Sequence, residues 1–103
     1  MVERLMIAEA VLNWAKDRGI LDNGTVEGQM TKLQEEFDEL KDAIAINDEA
    51  EIKDAIGDMQ VVLIILAELL DMDAQEALQE AYNTISQRKG KMVNGVFVKD
   101  GDA

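Results

Sequence analysis

The sequence predicts an all-α protein, four-helix bundle-like, with a short C-terminal β-hairpin. Three observations lead there. The chain has no proline and few aromatics, while Ala, Leu, Ile, Met, Glu and Asp dominate, a helix-forming composition. Apolar residues recur at intervals of three and four along most of the chain, the spacing that lines one face of a helix. Near the C-terminus the pattern changes to a weak alternation about Asn94-Gly95, a short hairpin signal. The 103 residues suffice for one domain, residues 1–103, divided into a helical core over 1–90 and a hairpin tail over 91–99. A domain this small buries a modest core, so self-association is expected.

The first helix is predicted from Val2 to Arg18, with Leu5, Ala8, Leu12 and Ala15 at helical spacing and Gly19 as its C-cap. Trp14 suits an amphipathic core or interface position, or else a platform for stacking a nucleobase. Asp22-Asn23-Gly24 reads as a turn and Thr25 as the cap of a second helix reaching Ile46. Its apolar stripe is Met30, Leu33, Phe37, Leu40 and Ile44. Gln29, Lys32, Glu36 and Glu39 form a polar strip on one flank, and Glu35 lies further round. Such a strip is either a solvated face of Glu–Lys pairs or one wall of a site at a helix–helix seam.

Asn47-Asp48 caps a third helix running to Leu70, and Asp48 with Glu51 makes a capping-box pattern. From Ile52 through Ile56, Met59 and the run Val61 to Ala67 this helix becomes apolar all round, which predicts burial at a bundle centre or subunit interface. Asp58 extends the face of that segment, where a carboxylate is costly unless paired or metal-bound. Gly57 costs helix propensity, which close helix approach would explain. Asp73 with Glu76 opens a fourth helix reaching Lys89, with Leu78, Ala81, Tyr82 and Ile85 facing inward. Its last turn, Gln87 to Lys91, carries Arg88, Lys89 and Lys91. These cations suit the helix dipole and also mark where a polyphosphate could be held, with Asn83 toward the same seam. Residues 92–98 form the hairpin, and Lys99 to Ala103 are expected to fray.

The formal net charge of −12 argues against binding a nucleic-acid polymer or an anionic membrane, but not against a nucleotide, because a bound metal inverts the local field. The longest apolar run is too short to span a bilayer, and the N-terminus lacks a signal-peptide pattern, so a cytoplasmic protein is expected. Without cysteine or histidine, a metal would be held by oxygen alone, which selects a hard ion, Mg²⁺ or Mn²⁺. The donors are at hand. Glu36 and Glu39 share one helical face, and Glu51, Asp54 and Asp58 share another. Packed side by side, these helices would bring about five carboxylates into a volume where they repel by several kcal/mol unless a cation sits between them.

Glu35-Glu36-x-x-Glu39, a short spacer, and an acidic helix ending in Ile56-Gly57-Asp58 before an apolar run resemble the MazG-like all-α nucleoside triphosphate pyrophosphohydrolases. The stretch from Asn83 to Lys99 is similar to a compact, phage-associated branch of that family. The resemblance implies that Glu36, Glu39 and Asp58 are metal ligands. Glu35 would position a second ion or the attacking water. The family's second motif, Glu-x-x-Asp, ends at Asp58, but its first position falls on Ala55, not an acid. Asp54, one turn before Asp58, is favoured over Glu51 to supply the missing oxygen.

The implied reaction is Mg²⁺-dependent attack of water on a (deoxy)nucleoside triphosphate, most simply at the α-phosphorus, giving monophosphate and pyrophosphate in nucleotide-pool house-cleaning. Arg88, Lys89 and Lys91 would hold pyrophosphate, Lys32 would pair with the glutamates or reach a phosphate, and Trp14 and Gln29 are candidates for base contact. The resemblance also implies a homodimer or homotetramer. The alternatives are a non-catalytic helical oligomerisation module with the same fold and a phosphoribosyl-ATP pyrophosphohydrolase.

Overall fold

The computed structural model describes residues 4–101, with Arg4 and Leu5 described by backbone only. The predicted start at Val2, the Leu5 side chain and the last two residues lie outside them. The order is α1 (Arg4–Asp17), α2 (Ile20–Asn23), α3 (Val26–Ala45), α4 (Glu49–Leu69), α5 (Ala74–Ile85), β1 (Gly90–Val93) and β2 (Val96–Lys99).

α1 ends where Gly19 turns left-handed, at φ 77°, a conformation cheap only for glycine. The expected turn at Asp22-Asn23 is instead the end of the single helical turn α2, where the Asn23 side chain donates back to the Gly19 carbonyl at 3.0 Å. Thr25 caps α3 as anticipated, its hydroxyl accepting from the Gly28 N–H at 2.9 Å, a cap worth about 1 kcal/mol.

α3 and α4 form a helical hairpin closed by three residues, with Asn47 left-handed at φ 56°. Asp48 caps α4 by accepting from the Glu51 N–H at 3.1 Å. The reciprocal half of the capping box is not made, because the Asp48 N–H goes to the Ala43 carbonyl at 3.1 Å. Glu51 is therefore not needed for capping. At α5, Asp73 accepts from the N–H groups of Gln75 and Glu76.

The α3–α4 hairpin is the principal packing unit, and α1 lies against α4. Among the described residues the buried side chains at the centre are mostly small, Ala8, Ala15, Ala43 and Ala55 with Val62 and Ile65, joined by one charged residue, Glu36. The inward line of α3 is Val26, Gln29, Leu33, Glu36, Leu40 and Ala43, also at intervals of three and four. The predicted stripe is therefore rotated. Met30, Phe37 and Ile44 stand to the side and are exposed, while Gln29 and Glu36 take inward positions. α4 is not buried all round within one chain either, since Ile56 and Leu63 are exposed, as is Leu70 just past its end.

α5 departs most from expectation. It touches α4 near the connecting turn and otherwise stands off the α1–α3–α4 body. Leu78, Tyr82 and Ile85, expected inside, are 64%, 59% and 53% exposed, and Ala81 is exposed as well. The helix ends at Ile85, not Lys89, so Arg88 and Lys89 lie in the link to the hairpin and Lys91 lies in β1. Their charges are thus not in a last helical turn. The hairpin forms as predicted, with antiparallel pairing from Gly90–Lys99 to Val93–Val96. Both turn residues have positive φ, 49° at Asn94 and 85° at Gly95, the type I′ requirement. Lys99 belongs to β2, and the Asp100 N–H reaches the Lys89 carbonyl at 2.9 Å, so order extends past the expected fraying point.

Candidate functional site

Glu36 is the centre of the site. It occupies an inward position of α3 and is 3% exposed. A carboxylate taken out of water needs partners for both oxygens. Oε1 has one, the Lys32 ammonium at 3.3 Å, one helical turn earlier. Oε2 is buried and has no hydrogen-bond partner. Lys32 also lies 4.0 Å from the Glu35 carboxylate, which is exposed.

The neighbouring acids respond to Glu36. The Glu39 carboxyl is held above the ordinary carboxylate range, first by the hydrogen bond that its protonated form can donate to Glu36 and then by that residue's charge, with Lys32 opposing. Asp58, half-buried on α4, is also raised, first by burial and then by the charges of Asp54 and Glu36, again with Lys32 opposing. The Lys32 ammonium is stabilised in turn, first by its hydrogen bond to Glu36 and then by that carboxylate's charge, so its pKa is raised. Glu36, Glu39, Asp54 and Asp58 therefore feel one another across the α3–α4 seam. They are not drawn into a closed nest: among the described residues no three acids are gathered closely enough to enclose an ion as they stand.

A hard divalent cation fits the donor set. All available donors are oxygens, and the buried Oε2 of Glu36 lacks the partner that such an ion would provide. Ala55, the position where the resemblance implies a further acid, is 3% exposed on the inward line of α4. It is packed as core.

An open cleft of about 420 Å³ adjoins Asp58, lined by Ile7, Ala10, Val11, Trp14 and Val61. Trp14 is half-exposed there, with the Arg18 guanidinium 5.8 Å from its ring centre. Sequence reasoning missed Ile7 and Val11. Their spacing to Trp14, four then three, marks a second apolar stripe on α1 and could have revealed them. Gly57 opens onto a cleft beside Asp54 and Asp58, and a Cβ built on it meets nothing within 4 Å. Close helix approach therefore does not explain this glycine. Gln29 sits half-buried on α3's inward line.

The C-terminal candidates are placed elsewhere. Asn83 accepts from the Gln79 side chain at 3.0 Å on the exposed surface of α5. Arg88 lies beside Phe97 and Val98, and Lys91 pairs with Val98 in the hairpin. Neither α5 nor the hairpin packs on α3, so Asn83, Arg88, Lys89 and Lys91 are not gathered with the carboxylates within one chain.

Comparison with known proteins bears on this arrangement. The MazG nucleotide pyrophosphohydrolase domain matches residues 24–93, well over half the chain and all of α3, α4 and α5. An uncharacterised 18.2 kDa protein from the rep-hol intergenic region of Haemophilus phage HP1 is 38% identical over 74 residues. That alignment covers 72% of this chain and 45% of the phage protein, so the chain spans less than half of its relative's length. No solved structure gives a significant match. No helix among the described residues is long and apolar enough to cross a membrane. On the match across the two acidic helices and the helix that follows, the chain belongs to the MazG nucleotide pyrophosphohydrolase family.

Proposed function

We propose that this chain is a Mg²⁺-dependent nucleotide pyrophosphohydrolase, with Mn²⁺ able to substitute, that converts a (deoxy)nucleoside triphosphate to its monophosphate and pyrophosphate. The observation that carries the reading is Glu36: a carboxylate held inside the α3–α4 seam with one oxygen unpartnered, beside Glu39 and Asp58, whose pKa values its charge helps to raise. A structural role alone does not explain retaining such a group, since an apolar residue of similar size would be cheaper there.

Glu36, Glu39, Asp54 and Asp58 would hold the cation. When bound, it would neutralise phosphate charge and make phosphorus more open to attack. Glu35, exposed one residue before Glu36, would accept the proton of the attacking water. The Trp14 cleft beside Asp58 offers a stacking surface for a base.

The active form is proposed as a homodimer or homotetramer. One chain leaves the apolar stripe of α5 and part of α4 uncovered. Association would also allow the cations at Arg88, Lys89 and Lys91 to meet a neighbouring chain's phosphates. Nucleotide-pool house-cleaning, in the cytoplasm, is the role proposed for this chemistry.

The buried Ala55 favours a second reading, a non-catalytic oligomerisation module with this fold, because a core alanine stands at the family's acidic position. Pyrophosphate release from a panel of ribo- and deoxyribonucleoside triphosphates, with phosphoribosyl-ATP included, separates the readings. Hydrolase function predicts release with Mg²⁺, none with chelator, and loss in Asp58→Ala. The module predicts no release from any substrate, and neutral or stabilising effects of Glu39→Ala and Asp58→Ala.

A further inference from the structure

Lys32 stands where the cation chemistry and the phosphate chemistry of the seam meet. Its ammonium lies 3.3 Å from Glu36 Oε1, while the other oxygen of that buried carboxylate has no partner. Its own side chain is 53% exposed on a flexible stem, so it can leave Glu36 without disturbing the core. Lys32 therefore sits beside one oxygen of Glu36 as a single positive charge, in the place where the buried carboxylate most needs one.

An ammonium on one oxygen of Glu36 and a divalent cation on the other would repel at contact range. We propose that Lys32 is the resident counter-ion of the metal-free site, that divalent cation binding displaces it from Glu36, and that it then offers its ammonium to the incoming triphosphate. This rests on the hydrolase reading of the seam. Displacing Lys32 weakens cation binding in the absence of nucleotide, and the triphosphate recovers that loss by giving the ammonium a new anion. Cation and nucleotide therefore bind with positive coupling, and the coupling is reciprocal.

The test is Mn²⁺ binding to the full chain, followed by the electron paramagnetic resonance of free Mn²⁺. It is run alone and with the α,β-imido analogues of the common deoxynucleoside triphosphates. Lys32→Met keeps the stem and removes the charge, Lys32→Gln is a second neutral variant should the first misfold, and Lys32→Arg keeps the charge. The expected result is that the neutral variants bind Mn²⁺ about fivefold tighter than wild type in the absence of nucleotide, the scale of one partly exposed ion pair. They also lose most of the tightening that the analogue confers on wild type, whereas Lys32→Arg retains it.

Unchanged or weaker Mn²⁺ binding in the neutral variants, or coupling that survives in them, overturns the proposal. If wild type meanwhile binds Mn²⁺ and releases pyrophosphate, the hydrolase reading stands without it. If wild type neither binds Mn²⁺ nor releases pyrophosphate, both fall together.

Discussion

Glu36 has the spacing of a surface residue and the position of a core residue. Reading α3 by its large apolar side chains puts Met30, Phe37 and Ile44 inside and the glutamates beside them. The fold instead turns the helix so that Glu36 faces α4. The residue types of the site were legible in the sequence, because only an acid-rich seam without histidine or cysteine assembles an oxygen-only donor set. Which acid is buried was not legible. Burial follows from helix rotation, and two stripes with the same three–four spacing compete for the interior. The pKa shifts give a prediction with a definite sign. Glu39 and Asp58 have folded pKa values raised above their unfolded ones. The stability that these groups contribute is present below the unfolded carboxylate range and is lost as pH rises through their raised values. Without divalent cation, urea denaturation should show stability falling across that window, and Glu39→Gln should flatten the fall. With Mg²⁺ the wild type should flatten as well. A wild-type profile identical to that of Glu39→Gln would refute the electrostatic reading.

At the scale of elements, the sequence declares its caps and turns well because each rests on local chemistry. Thr25, Asp48 and Asp73 accept from backbone N–H groups at the starts of α3, α4 and α5, and Asn94-Gly95 makes the turn its φ preferences require. Features that depend on neighbours are less legible. The end of α5 was placed four residues late because the basic run continues past the helix, and charge alone does not extend a helix. Gly57 looked like a site of close packing, yet it faces open space. Gly57→Ala should therefore stabilise α4 by about 1 kcal/mol, the propensity difference inside a helix, with no clash to offset it. A urea melt checks this, and a loss of stability would mean that a partner or ligand fills that space in solution.

At the scale of the molecule, the described residues bury six apolar side chains, four of them alanine, and leave Leu78, Tyr82 and Ile85 of α5 open. The apolar face of α5 was legible in the sequence as a helical stripe, but what covers it was not, because periodicity reports that a face is apolar and not which surface it meets. The proposed association would draw on the hydrophobic effect: each such side chain, once buried, contributes about 1.5–3 kcal/mol. Light scattering should find wild type as a dimer or tetramer with a melting temperature that rises with protein concentration. Leu78→Glu with Ile85→Glu should shift it toward monomer. A monomeric wild type at micromolar concentration would contradict this.

If the buried carboxylate of Glu36 belongs to a divalent-cation site, as proposed, thermal unfolding must depend on Mg²⁺. Millimolar Mg²⁺ should raise the melting temperature of wild type by several degrees through mass action. Glu36→Gln should melt higher than wild type in chelator and no longer respond to Mg²⁺, because the buried charge and the ligand are removed together. A wild type indifferent to Mg²⁺, or a Glu36→Gln variant that responds as wild type does, would contradict the claim.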